Sequence, residues 1–326
     1  MSRHKHSRFI SVWRRNGGLR QLRGYVKLGV AAQVIREVLK GMIKLKSFEE
    51  IYAGIRPIVN RALFQRYGSF MAKRLEENER DALAEMKSDR VWFCWLQGIE
   101  TAPPLVKACL ESLKRNLKGK EITVIDEQNR TEFIQFPSFI EQRWERKQIP
   151  PAMFTDLIRL ELLICHGGTW VDATVLCTMT DYPKDFFDTE LFLYQYRRPD
   201  SPQFAGISNW MITSCSHHPL LMTLRDALYV YWEDFDCVLE YFLFHRFFDV
   251  IAQLRPEDVD RMPFASSHDA HLLGRRLNDP FDPQEWEVLT TRIPFHKLTY
   301  KNLENGASEA PPSYYDHILC SYGHLI

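Results

Sequence analysis

No stretch of the 326 residues reaches about 18 consecutive apolar side chains, so nothing in the sequence is written to span a bilayer. Nor does the chain open on an apolar run of signal-peptide length. The seven cysteines (Cys94, Cys109, Cys165, Cys177, Cys215, Cys237 and Cys320) are odd in number and include no C-x-x-C pair. That argues against both a disulfide framework and a zinc site, and several of them sit in apolar runs. Reduced, buried thiols in a cytoplasmic protein are expected. Internal repeats and low-complexity tracts are also missing. Acidic residues are nearly missing from the first 47 positions, where Glu37 stands alone against twelve Lys or Arg. That segment carries a charge of +11, and because the whole chain is neutral the remainder carries −11. Such asymmetry points to an anionic contact, either a membrane surface or nucleic acid.

Hydrophobic residues make up 45% and charged residues 26%, which suits a soluble globular protein with a substantial core. The length allows one large domain or one domain with a helical extension. Aromatic residues reach 13%, with eight Trp, and flat rings serve either as core or as platforms for a sugar or base.

Tyr25 to Leu45 places Leu28, Ala31, Val34, Ile35, Val38, Leu39, Met42 and Ile43 at helical spacing. Lys27, Arg36, Lys40 and Lys44 lie opposite, so an amphipathic basic helix is predicted. It either packs on the main domain or lies on anionic lipid. Two further helices are expected between Phe48 and Lys87. The character changes near Asp89, which divides the chain into a basic helical N-terminal extension, 1–88, and a main domain, 89–326. Val91 to Leu96 reads as a buried strand, Pro103 to about Asn116 as a helix, and Glu121 to Ile125 as a second strand. That order opens an α/β fold with a mostly parallel sheet. A helix from about Ala152 to Cys165, a strand from Thr169 to Val175, and strands at Leu191–Tyr196 and Ile207–Thr213 follow. Two aromatic-rich helices fill roughly Pro219 to Leu254.

The chemistry concentrates between Thr155 and Thr174. Asp156 and Arg159, three apart, share one helix face. Gly167-Gly168 forces a tight reversal, so the next strand returns beside that helix. Asp172 then falls at the carboxyl end of a buried strand, the end at which open α/β sheets bind ligands. A carboxylate after Thr-Trp-Val is costly to bury without a partner. Capping of the turn is the structural alternative for Asp172, and a local ion pair is the alternative for Asp156 and Arg159.

The order D-x-x-R, apolar helix, G-G, apolar strand, D-A-T resembles the capsular polysaccharide synthesis proteins. These are relatives of glycosyltransferase family 32 and of the sugar-transferring clostridial toxins. Trp92-Phe93-Cys94-Trp95-Leu96-Gln97-Gly98 resembles that family's first strand. Pro103 to Leu113 resembles its first helix, and Ser208-Asn209-Trp210-Met211-Ile212 a later strand. The similarity runs from about Arg90 to at least Arg246, with an echo at His296-Lys297. It implies a GT-A nucleotide-diphospho-sugar transferase fold. Trp95 would stack on the nucleotide base, with Gln97 beside it at the donor. Asp156 and Arg159 would hold the ribose and donor sugar, and Asp172 would be the first acid of a D-x-D motif. Asn209 would face the sugar, and His296 and Lys297 would close over the diphosphate, unless they are surface residues beside a strand. Arg159 and Asp172 would act in catalysis, Asp172 also helping to hold Mn²⁺ or Mg²⁺. Thr174 stands where the second acid belongs, and a hydroxyl is a poor ligand for either ion, which sets the sequence against metal dependence.

These readings lead to a glycosyltransferase that moves a sugar from a nucleotide-sugar donor to a glycan or lipid-linked acceptor in capsular or surface polysaccharide synthesis. Retention of configuration is implied by family 32. The expected location is the cytoplasmic membrane face, with the basic N-terminus on anionic lipid. Thr174 keeps a second reading open, a catalytically degenerate GT-A domain that binds a glycan or partner. A phosphosugar transferase of the stealth-like kind lacks support, because none of that family's Asp- and Arg-rich blocks occurs in the sequence. Nucleic acid is not expected as a partner, because the basic segment has few interleaved aromatics and no recognised module.

Overall fold

The computed structural model describes residues 18–44, 46–80, 86–197, 204–301, 303 and 311–323. Arg3, Lys5, Arg8, Arg14 and Arg15 of the basic segment lie outside these residues, as does 198–203. The helices are α1 (Leu19–Lys27), α2 (Ala31–Ile43), α3 (Phe48–Arg80), α4 (Pro104–Asn116), α5 (Ser138–Glu145), α6 (Pro151–His166), α7 (Pro219–Asp234), α8 (Leu243–Leu254), α9 (Pro256–Arg261), α10 (Ser267–Ala270), α11 (Pro283–Arg292) and α12 (Tyr314–Tyr322). The strands are β1 (Arg90–Cys94), β2 (Glu121–Ile125), β3 (Gly168–Val171), β4 (Val175–Cys177), β5 (Leu191–Arg197), β6 (Phe204–Ser214) and β7 (Phe295–Lys297).

Packing divides these elements into two units. One gathers α1–α3, α5, the first half of α6, α7 and α8. The other holds every strand, α4, the second half of α6 and the C-terminal helices. The N-terminal helices thus fold with segments from 136–158 and 219–256, a grouping drawn along different lines from a cut at residue 88.

In the helical unit, the amphipathic stretch expected as one helix from Tyr25 is broken at Gly29, whose φ of +77° ends α1 before α2 begins. The two helices expected after Phe48 are instead one, α3, with Pro57 inside it. Its buried residues recur at every fourth position: Ile51, Ile55, Val59, Leu63, Tyr67, Met71 and Leu75. At about 100° per residue, a four-residue step overshoots the turn, so the buried stripe winds around the helix. The winding stripe meets α2, α7 and α8 in turn. Polar ties add to this packing. Arg74 donates to Asp226 at 2.6 Å, and the buried Asn78 amide donates to Thr223 at 3.0 Å. Tyr67, Arg66 and Lys27 all donate to Asp234.

In the other unit, the five-stranded sheet has the order β2-β1-β3-β6-β5. β1 pairs in parallel with both β2 and β3, and β6 is antiparallel to both β3 and β5. Four of the five strands therefore share a direction, the mostly parallel α/β sheet expected. Val91, Phe93 and Val171 face a core completed by Val106, Leu110 and Leu113 of α4. On the other side Trp92 meets the end of α6, its indole donating to the Gly167 carbonyl at 2.9 Å. α4 turns its opposite side to a second cluster, where Leu105 and Cys109 pack with Leu176, Leu298 and Tyr314. Five of the seven cysteines are buried and none is bonded to another, while Cys165 and Cys320 are exposed.

The strand expected over Thr169–Val175 stops at Val171. After a turn the chain resumes as β4, which pairs with β7 in a separate two-stranded sheet. That interruption releases Asp172 from the sheet and brings β7 beside it.

Candidate functional site

Asp172 follows the last residue of β3, at the carboxyl edge of the parallel strands. Its amide donates to the Trp210 carbonyl at 2.8 Å, so the backbone stays tied to β6 after the β3 ladder ends. Side chains alternate along a strand, so Trp170 and Asp172 face the same way. The Trp170 indole N–H donates to Asp172 Oδ1 at 2.9 Å. Arg159, from the second half of α6, brings Nη2 to 3.4 Å of the same oxygen. Its guanidinium lies over the Trp170 ring at 4.9 Å and donates through Nη1 to the Asn209 carbonyl. Lys297, the last residue of β7, donates from Nζ to Asp172 Oδ2 at 2.9 Å. The same ammonium donates to the Thr174 hydroxyl at 2.7 Å.

One carboxylate is therefore shared by a guanidinium and an ammonium. Burial pushes the Asp172 carboxyl up, but Lys297 and Arg159 more than offset it and hold the group below its ordinary value. Arg159 keeps only 5% of its side-chain surface exposed, whereas Asp172 and Lys297 keep 23% and 21%. The cluster thus opens to solvent on the Lys297 side. Neighbouring Cys94, at the end of β1, has its thiol pushed up to about 12 by burial, which keeps it protonated at neutral pH.

β7 is pinned to hold Lys297 there. Lys297 pairs with Val175, and the Leu298 amide donates to the Thr174 carbonyl at 2.8 Å. Gly274 packs on its backbone so closely that an added Cβ would sit 2.4 Å from the Lys297 carbonyl oxygen. His296 corrects its expected role at the donor. It is fully buried, with Nε2 3.1 Å from the Thr178 hydroxyl, and burial lowers the ring to about 4. Neighbours on a strand point opposite ways, so burying His296 is what turns Lys297 toward Asp172.

Arg159, Asp172, Thr174 and Lys297 are thus drawn into one network, with Asn209 joined through its carbonyl. Trp95 lies one residue past the end of β1, half-buried, edge-on to Tyr300 at 5.8 Å. Its indole N–H is buried without a partner among the described residues. Gln97 is exposed in the turn after β1. Asp156 is half-buried on α6, in the part of the helix that groups with the helical unit. Trp170 and Tyr300 had not been singled out from sequence. The two-residue spacing of Trp170 from Asp172 was the signal for the first, and Tyr300 had none.

The expected divalent cation finds a poor fit. Within this network of described residues the oxygens on offer are the Asp172 carboxylate and the Thr174 hydroxyl, and both already accept from the Lys297 ammonium. Among the described residues no group of three or more His, Cys, Asp or Glu forms a cation site. Mn²⁺ and Mg²⁺ favour several carboxylate and water oxygens and would meet two resident positive charges here. Asp172 as a metal ligand does not agree with this arrangement.

A family model described as capsular polysaccharide synthesis protein matches residues 40–318. Among solved structures, one titled "PaToxG Glycosyltransferase" aligns at 14% identity and a TM-score of 0.37, over 62% of this chain and 79% of that one, a likeness too distant to carry an argument. No curated protein matches the chain.

Proposed function

The chain belongs to the capsular polysaccharide synthesis protein family, and from that premise we propose that it is a glycosyltransferase with a nucleotide-sugar donor and a glycan or lipid-linked acceptor. The observation that supports this most is the Arg159–Asp172–Lys297 network at the carboxyl edge of the parallel strands, where α/β sheets take their ligands. In such a transfer the anomeric carbon–oxygen bond to the diphosphate breaks and its electron pair stays on the phosphate oxygen. The acceptor oxygen forms the new bond, and its proton passes to the departing diphosphate. Negative charge grows on the leaving group, so fixed cations stabilise the transition state more than the ground state. Arg159 and Lys297 are the cations assigned this role. Trp95 offers a ring for the base and an N–H with no partner among the described residues, while Asp172 and Asn209 line the sugar. Retention of configuration and the GT-A fold name belong to this reading. A panel of UDP-, GDP- and CMP-sugars, assayed for hydrolysis and transfer, tests it. Turnover of one donor class is expected, and no binding or turnover of any would defeat the reading.

The acceptor side of the proposal is a membrane surface. Leu19, Leu22 and Val26 of α1 are exposed and share one face at helical spacing, as do Ile35, Leu39 and Met42 of α2. Arg20, Arg23, Arg36, Lys40 and Lys44 border them and are exposed as well. Apolar stripes edged by cations suit an in-plane position on anionic lipid, where each basic residue contributes about 1 kcal/mol. Among the described residues no helix is long and apolar enough to cross a membrane. Flotation with phosphatidylglycerol vesicles is expected to carry the protein, and phosphatidylcholine vesicles are expected to leave it behind. Ile35→Ser with Leu39→Ser should reduce flotation by about tenfold, and an unchanged yield would remove these stripes from the tether.

A further inference from the structure

The Lys297 ammonium occupies the place between the first and third positions of the Asp172-Ala173-Thr174 motif. It donates to Asp172 Oδ2 at 2.9 Å and to Thr174 Oγ1 at 2.7 Å. Those are one oxygen from each of the two side chains that a cation bound to this motif would draw on. We propose that Lys297 is a built-in replacement for the divalent cation, and that the protein binds the diphosphate of its donor without metal. The inference rests on the nucleotide-sugar reading above and adds the chemical means by which the diphosphate is held.

Three observations support it. An ammonium has three N–H donors, and Asp172 and Thr174 take two among the described residues, which leaves the third for a phosphate oxygen. Lys297 is itself partly exposed, whereas its sequence neighbours His296 and Leu298 are buried. The backbone is thus anchored on either side while the charge stays open to a ligand. Arg159 supplies a second, almost fully buried cation on the other oxygen of Asp172. A resident ammonium and guanidinium beside one another suit a diphosphate better than they suit Mn²⁺. A threonine at the third position is then no defect. An aspartate there would compete with the donor for the Lys297 ammonium, whereas a hydroxyl orients it without adding a second negative charge.

The test is titration calorimetry of the full chain with UDP, GDP and inorganic pyrophosphate, in excess EDTA and again in saturating MnCl₂. Wild-type protein should bind one of the nucleotides equally in both. Lys297→Gln should weaken that binding at least about tenfold in EDTA, MnCl₂ should not restore it, and Lys297→Arg should keep most of it. Wild-type binding that disappears in EDTA and returns with MnCl₂ would overturn the inference and leave the donor reading intact. So would a folded Lys297→Gln protein that binds as wild type does. Failure of UDP and GDP under both conditions would overturn a nucleoside-diphosphate donor, and this inference with it. The EDTA comparison needs no variant, so it decides the matter even where Lys297→Gln does not fold.

Discussion

Gly168→Ala is expected to leave little folded protein. Gly168 opens β3 at a φ of +93°, a conformation that L side chains rarely adopt, and the strain alone costs about 1–2 kcal/mol. The larger effect is steric. A Cβ there would lie 2.4 Å from the carbonyl oxygen of Arg90. Arg90 is the first residue of β1 and pairs with Glu121 of β2, so it cannot retreat without disturbing the parallel pairing. Ser214 holds Gly168 from the β6 side. Overlap with backbone fixed from both sides should raise the total above about 4 kcal/mol, a large share of the stability of an ordinary domain. Gly29→Ala is the control. Its φ is +77°, yet nothing stands within 4 Å of the added carbon, so it should cost about 1 kcal/mol. Thermal melts and soluble yields of the two variants separate strain from overlap, and equal losses would refute the steric argument.

The tight reversal at this glycine pair was legible in sequence because both its causes are local. The parallel strands were legible for the same reason, being short apolar runs closed by Gly or Asp. α3 was not, because its core residues recur every fourth position and wind around the helix, which blurs the amphipathic pattern. Of the candidate residues, Asp156, Arg159, Asp172 and Thr174 fall inside twenty residues, and their spacing along the sequence could be read directly. Lys297 lies 125 residues from Asp172, and no local pattern announces the bond between them. Sequence narrowed the late segment to His296 and Lys297 without separating them. Strand alternation separates them once β7 is known to pair with β4. One residue must go inward, and the imidazole loses less on burial than an ammonium does.

Asp172→Asn should abolish transfer while leaving the protein folded, with a loss of about 10²–10³ in turnover. The amide keeps the shape of the carboxylate, and its oxygen can still accept from the Trp170 indole. What disappears is the charge that holds Arg159 and Lys297 in fixed positions. Those two cations would then repel each other and drift from the geometry that the leaving diphosphate requires. Asp172→Ala should cost more, because it also strands the Trp170 N–H. Stability supplies an independent check with a definite sign. The folded carboxyl lies below its ordinary value, so its ion pairs contribute stability above the unfolded pKa, and that contribution is lost as pH falls through the folded value. At neutral pH wild type should exceed Asp172→Asn by about 1–2 kcal/mol, a figure kept small because a quarter of the carboxylate meets solvent. The difference should shrink as the pH drops below about 4. Denaturant melts at pH 7 and pH 3 would show it. A pH-independent difference would mean that Asp172 acts through shape, and full turnover by Asp172→Asn would mean that the charge is not what places Lys297.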